Sequence, residues 1–181
     1  VQTLARIARL IDQLSEWTGR AIAWLTLGMV LVTFAVVLLR YLFNTGWIAM
    51  QESITYMHAL VFMLGAAYTL RHDGHVRVDI FAQKLGPRGR AWVDLLGTLL
   101  LLMPVTLFVA WISWEYVAAS WELKEGSRET GGLPGVYLLK SAIPLMAGLL
   151  LLQGVSLALR SALVLLGHEE EAPAHDAGTE V

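Results

Sequence analysis

Four windows of this chain contain no Asp, Glu, Lys or Arg: Ala21 to Leu39, Ser53 to Leu70, Leu95 to Trp114 and Ser141 to Leu159. As α-helices they rise about 27–30 Å each, close to the hydrocarbon thickness of a bilayer. Inside lipid such segments satisfy their backbone polar groups only as helices. With 56% hydrophobic and 15% charged residues over 181 positions, the chain lacks the charged surface of a soluble domain. The expected fold is all-α. Spans of about 21–43, 48–70, 92–114 and 141–166 form one four-helix transmembrane unit over 21–167, in a multi-pass membrane protein.

The distribution of basic residues sets the expected orientation. Of the 13 Lys and Arg, nine (Arg6, Arg9, Arg20, Arg71, Arg77, Lys84, Arg88, Arg90 and Arg160) fall on the side of the termini, and four (Arg40, Lys124, Arg128 and Lys140) on the other. The positive-inside rule then places both termini in the cytoplasm. A net charge of -2 with no basic surface makes nucleic acid an unexpected partner. The absence of cysteine excludes disulfides and thiolate sites. The first apolar run is too long for a signal-peptide core and ends in Arg40-Tyr41-Leu42-Phe43-Asn44 rather than a small-residue cleavage site, so it is expected to stay as a span.

Flanking segments carry further patterns. Leu4, Ile7, Ile11, Leu14 and Trp17 recur at helical spacing, which predicts an interfacial amphipathic helix over 1–20; a frayed juxtamembrane segment is the simpler alternative. His58 is the only titratable group in the windows apart from the tyrosines, and is read as a hydrogen-bonded packing residue. Pro104 removes one helical hydrogen bond and predicts a bend in the third span. Gly154, Ala158 and Ala162 make a small-residue face for close helix packing. Residues 168–181 read as an acidic disordered tail.

Two connections stand out. Glu115 to Lys140 is longer than a plain link needs. Its Glu122, Lys124, Glu125, Arg128 and Glu129 are candidates for docking a partner on the outer side of the membrane, against the alternative of a solvated loop. Between spans two and three lies a polar island, Arg71-His72-Asp73-Gly74-His75-Val76-Arg77-Val78-Asp79-Ile80-Phe81. Its period fits helix or strand; a short interfacial helix is expected, because a lone strand at the membrane surface leaves backbone groups unsatisfied.

The island has three possible roles. Its basic residues can set orientation and contact anionic lipid. Arg71, Asp73, Arg77 and Asp79 can form ion pairs that fix the helices or a partner subunit. His72, His75 and Asp79 are also metal-ligand types, but His72 and His75 sit at a span end, so no metal or other cofactor is expected. A stand-alone proton-coupled exporter using Glu52, or a haem- or metal-binding anchor, are the competing readings. Against the exporter, no acid lies within a window, whereas coupled transporters place ionisable groups near the midplane.

These residues resemble a known family. Arg40-Tyr41-Leu42-Phe43-Asn44 closing span one, Gln51-Glu52 opening span two and Arg71-His72-Asp73-Gly74-His75-Val76-Arg77-Val78-Asp79 after it are similar to the small membrane subunit of tripartite ATP-independent periplasmic (TRAP) transporters, the DctQ-like family. Glu125-Gly126-Ser127-Arg128-Glu129, Gly132-Leu133-Pro134 and Tyr137-Leu138-Leu139-Lys140-Ser141 further resemble the branch labelled mannitol or chloroaromatic transport. The resemblance implies a non-enzymatic scaffold in the bacterial inner membrane. It would hold the large permease subunit, which imports organic acids delivered by a periplasmic binding protein by an ion-driven elevator motion. On this reading Arg71, His72, Asp73, His75, Arg77 and Asp79 contact the large subunit or a phospholipid at the cytoplasmic interface.

Overall fold

Each apolar window folds as part of a long helix in the computed structural model, which describes residues 2–75 and 85–168. Helix α1 covers Gln2–Phe43 and α2 covers Ile48–Arg71. The third span is composite: α3 over Pro87–Gly97, a π-helical turn over Thr98–Leu102, and α4 over Met103–Glu122. A short helix α5, Val136–Lys140, leads through Ser141 into α6, Ala142–Leu165. The chain is all-α, with four helical stretches long and apolar enough to cross a membrane and no strand among the described residues.

Burial is inverted relative to a water-soluble bundle. The interior holds Ala5, Ala8, Ala67, Ala91, Ala142, Ala147, Gly154 and a set of Ser, Thr and Gln side chains. The outside carries Trp24, Phe34, Phe62, Leu100, Trp111 and many other large apolar groups. In water such an exterior would associate or aggregate. In lipid it costs nothing, and small residues inside let the helix backbones approach closely, where packing and interhelical hydrogen bonds hold them. Helix α6 is the hub, lying against α1, α2, α3 and α4.

Pro104 is answered by the backbone just before it. The Met103 N–H bonds back to the Thr98 carbonyl, one residue further than in an α-helix. The helix thus absorbs the missing Pro104 donor as a π turn. Gly154 of α6 packs on this turn: a Cβ there would lie 3.1 Å from Leu102 and 3.5 Å from Thr98. The small-residue face expected on span four therefore begins as a seat for span three.

The helix ends explain several polar motifs. Asn44, Asp73, Lys124 and Gly167 all take positive φ, the left-handed residue that stops a helix. After three of them the next N–H reaches back five residues: Gly74 to Thr69, Glu125 to Ser120 and His168 to Leu163. So Asn44 at the close of span one and Asp73-Gly74 in the island are helix stops, whatever else they do.

The segment before span one is the first part of one continuous α1. Its side facing the bundle is Ala5, Ala8, Asp12, Ser15 and Gly19, spaced three and four apart, while Leu4, Ile7, Leu14 and Trp17 face outward. The stretch Glu115 to Lys140 is helical up to Glu122 and again from Val136, so the irregular connection is confined to 123–135. The expected interfacial helix falls largely on residues 76–84, and the expected acidic tail on 169–181 apart from His168; both stretches lie outside the described residues.

Candidate functional site: polar clasps at the two ends of the bundle

Asp12 is buried, at 6% exposure, where α1 crosses α6. Its Oδ1 accepts hydrogen bonds from Ser156 Oγ at 2.6 Å and Gln153 Nε2 at 3.0 Å. Its Oδ2 accepts from Arg160 Nε at 2.9 Å and Nη2 at 2.5 Å. Ser15 Oγ donates to Gln153 Oε1 at 2.6 Å, and Ser156 Oγ also donates to the Ala8 backbone carbonyl at 3.2 Å. A buried carboxylate is tolerated when its charge is matched and its lone pairs are filled, and four donors do both here.

The same end of the bundle ties α2 to α1. Arg71 Nη1 donates to the Asp12 carbonyl at 2.6 Å and to Glu16 Oε2 at 2.7 Å. Glu16 also accepts from Arg20 at 2.8 Å and lies 3.3 Å from His72 Nε2. His72 Nδ1 sits 3.0 Å from the Tyr68 carbonyl, and its ring lies 4.2 Å from the Tyr68 ring. The His72 nitrogens therefore both face oxygens of this chain. Tyr68 in turn covers Gly19, where a Cβ would meet the ring carbons at 2.2–2.3 Å.

At the opposite end, Glu52 of α2 anchors the 123–135 connection. One carboxylate oxygen accepts from the Ser127 hydroxyl and the other from the Leu133 N–H at 2.6 Å. Gly132 fits beneath this pair: an added Cβ would lie 2.3 Å from Ser127 Oγ and 2.7 Å from Glu52. We expect Gly132→Ala and Glu52→Gln each to free the connection and to raise proteolytic cleavage within 123–135 about ten-fold. Limited proteolysis of the purified chain measures this. In this arrangement Glu52 is a loop anchor with both oxygens occupied, which is not the setting of the proton carrier considered for it.

A second contact set closes the same end. Glu125 accepts from Lys140 and from Ser120 Oγ, the latter at 2.7 Å. Lys140 sits over the Tyr116 ring at 4.0 Å, Lys124 over Trp121 at 4.6 Å, and the Trp121 indole donates to Ser141 at 2.8 Å. The Lys140 ammonium, then the Ser120 hydroxyl, hold the Glu125 carboxyl below its ordinary value of 4.5. Because the native value is the lower one, this contact stabilises the fold above the ordinary value and is lost as pH falls through the native one. Amide protection factors in 123–135 should thus be constant from pH 7 to about 5 and fall only below about 4.

The sequence-derived candidates divide as follows. Arg71 and His72 are joined to α1, Asp73 takes the left-handed stop position, and His75 is exposed. Arg77 and Asp79 lie outside the described residues. Glu122, Lys124, Arg128 and Glu129 are exposed around the outer connection, and Glu125 is drawn inward. Sequence reading passed over Asp12, Ser15, Glu16, Gln153, Ser156 and Arg160. Their signal was a polar register, Gln153, Ser156 and Arg160 on one helix face, matching the small and polar stripe from Ala5 to Gly19.

His58 corrects its reading as an internally bonded packing residue. It is exposed, and no hydrogen-bond partner for it occurs among the described residues.

Known proteins share this chain's pattern. The family described as "Tripartite ATP-independent periplasmic transporters, DctQ component" matches residues 29–163, most of the chain. A C4-dicarboxylate TRAP transporter small permease protein of Vibrio cholerae is 32% identical over 76 residues, covering 42% of this chain and 32% of that relative. A putative TRAP transporter small permease protein of Haemophilus influenzae is 29% identical over 89 residues, covering 48% of this chain and 55% of that relative. The matched stretches therefore span about a third and about half of these relatives' lengths. No solved structure matches the chain significantly. With the matched region running from within α1 to near the end of α6, this chain belongs to the DctQ component family of TRAP transporters and is a small permease component.

Proposed function

We propose that this chain is the static membrane scaffold of a three-part importer. It holds a large permease subunit in place while that subunit moves an organic acid, handed over by a periplasmic binding protein, inward on an ion gradient. The observation that carries this reading is the distribution of polar groups. The two dense polar clusters, Asp12–Arg160 with Arg71–Glu16 and Glu52–Ser127 with Glu125–Lys140, sit at opposite ends and fasten helix to helix or helix to loop. Internal fastening of that kind suits a rigid support better than a moving carrier. In this reading the termini face the cytoplasm of a bacterial inner membrane, by the excess of basic residues there.

The partner contacts fall at the two ends. Residues Arg77 and Asp79, with His75, are proposed to continue the cytoplasmic contact outward to the large subunit, since Arg71 and His72 are engaged within the chain. Arg20 is proposed to take a phospholipid head group. Although its Nε bonds Glu16, its side chain is 77% exposed, and exposed Trp17 and Trp24 flank it on the same helix face where charged sequence gives way to the apolar window. Exposed Glu122, Lys124, Arg128 and Glu129 are proposed to meet the binding protein. The mannitol or chloroaromatic branch label names a lineage and assigns no substrate.

The test is reconstitution. Proteoliposomes carrying the large permease are expected to take up an organic acid under a sodium gradient only when this chain and the loaded binding protein are both present. Equal uptake without this chain, or proton-driven efflux by this chain alone, contradicts the proposal.

A further inference from the structure

One ionisable group sits at the middle of a membrane span and faces out of the bundle. His58 lies about 15 Å along α2 from its start at Ile48, near the centre of the helix. It is exposed, as are Thr55 one turn before it and Phe62, at 74%, one turn after it. These three share a face by their spacing of three and four. Neither His58 nor Thr55 makes a side-chain hydrogen bond among the described residues.

Lipid tails offer such a group nothing. A histidine side chain at this depth cannot reach the head groups as Lys or Arg do, and intramembrane ionisable residues pair with one another, with carbonyls or with a watery cavity. Inside the bundle Ser15, Gln153, Ser156 and Thr106 are bonded, and the two buried groups without a partner, Tyr56 Oη and Ser161 Oγ, are covered by the chain's own helices. His58 has neither a partner nor cover among the described residues, and Phe62 beside it is exposed as well.

Resting on the scaffold reading above, we infer that the Thr55–His58–Phe62 face of α2 is where a transmembrane helix of the large permease packs, presenting a hydrogen-bonding side chain to His58. The contact is a specificity device. It fixes which helix docks and in what register, because a mismatched helix would leave His58 unpaired in hydrocarbon.

The experiment uses the intact complex. A photo-reactive benzophenone amino acid is placed at position 58, the complex is illuminated in membranes, and the product is identified by mass spectrometry. The expected result is a covalent adduct to the large permease. An adduct only to lipid or to a second copy of this chain, while the permease still co-purifies, overturns the inference. Failure of the permease to co-purify with the unmodified chain, which needs no illumination, removes the scaffold reading itself. As a second measurement, His58→Leu should weaken retention of the permease about three- to fifteen-fold, the range of one interhelical hydrogen bond, with His58→Gln close to wild type. Wild-type retention in His58→Leu also overturns it.

Discussion

Replacing Asp12 with Ala is expected to cost about 3–5 kcal/mol, the largest effect of any single polar substitution in the chain. The change does more than delete four hydrogen bonds. It takes from Arg160 the carboxylate bonded to its Nε and Nη2, leaves the buried Gln153 Nε2 without its acceptor, and leaves the buried Ser156 Oγ only its longer bond to the Ala8 carbonyl. The first part of α1 should then separate from α6, since its outward face, Leu4, Ile7, Leu14 and Trp17, has no competing contact within the bundle. Thermal unfolding in detergent, followed by Trp fluorescence, measures the loss. Asp12→Asn should be milder, because it retains an acceptor but puts an amide donor against the guanidinium. Joint replacement of Asp12 and Arg160 by Leu should recover part of the loss, because no guanidinium then faces the vacated carboxylate position.

Gly19→Ala is the second large effect, about 1–3 kcal/mol of destabilisation from overpacking. The added Cβ would fall 2.3 Å from Tyr68 Cγ and 2.8 Å from its Cβ, the base of the side chain rather than its flexible tip. No rotamer change clears that overlap, so α1 and α2 must move apart. Their separation would also pull Arg71 and His72 from Glu16. The expected readouts are a lower melting temperature and faster amide exchange at the end of α2. Gly148→Ala is the control, since nothing lies within 4 Å of a Cβ there; it should melt as the wild type does.

These two positions mark where sequence reading reached and where it stopped. Charge-free windows of bilayer length define four helices because lipid permits little else, so the all-α class followed directly from composition along the chain. The island was legible as special, but only part of its meaning was local. Asp73 and Gly74 stop α2, a role set by backbone geometry, and Arg71 finds its partners 55 and 59 positions away in sequence. The Asp12 clasp was missed for a related reason. A search for apolar periodicity selects Leu4, Ile7, Leu14 and Trp17, yet in a membrane protein that periodicity marks the outside of the bundle. The stripe that packs is small and polar. Glu52 shows the same limit: at a window border it invited a proton-carrier role, and only the folded loop reveals Ser127 and the Leu133 amide as its partners.

Purification of the affinity-tagged chain from its native membranes in mild detergent tests the scaffold role most directly. The predicted result is recovery with an equimolar large multispan permease, and loss of that permease in Asp12→Ala at temperatures where the wild-type complex persists. Recovery of the chain alone, folded and catalysing proton-driven efflux by itself in liposomes, would contradict it.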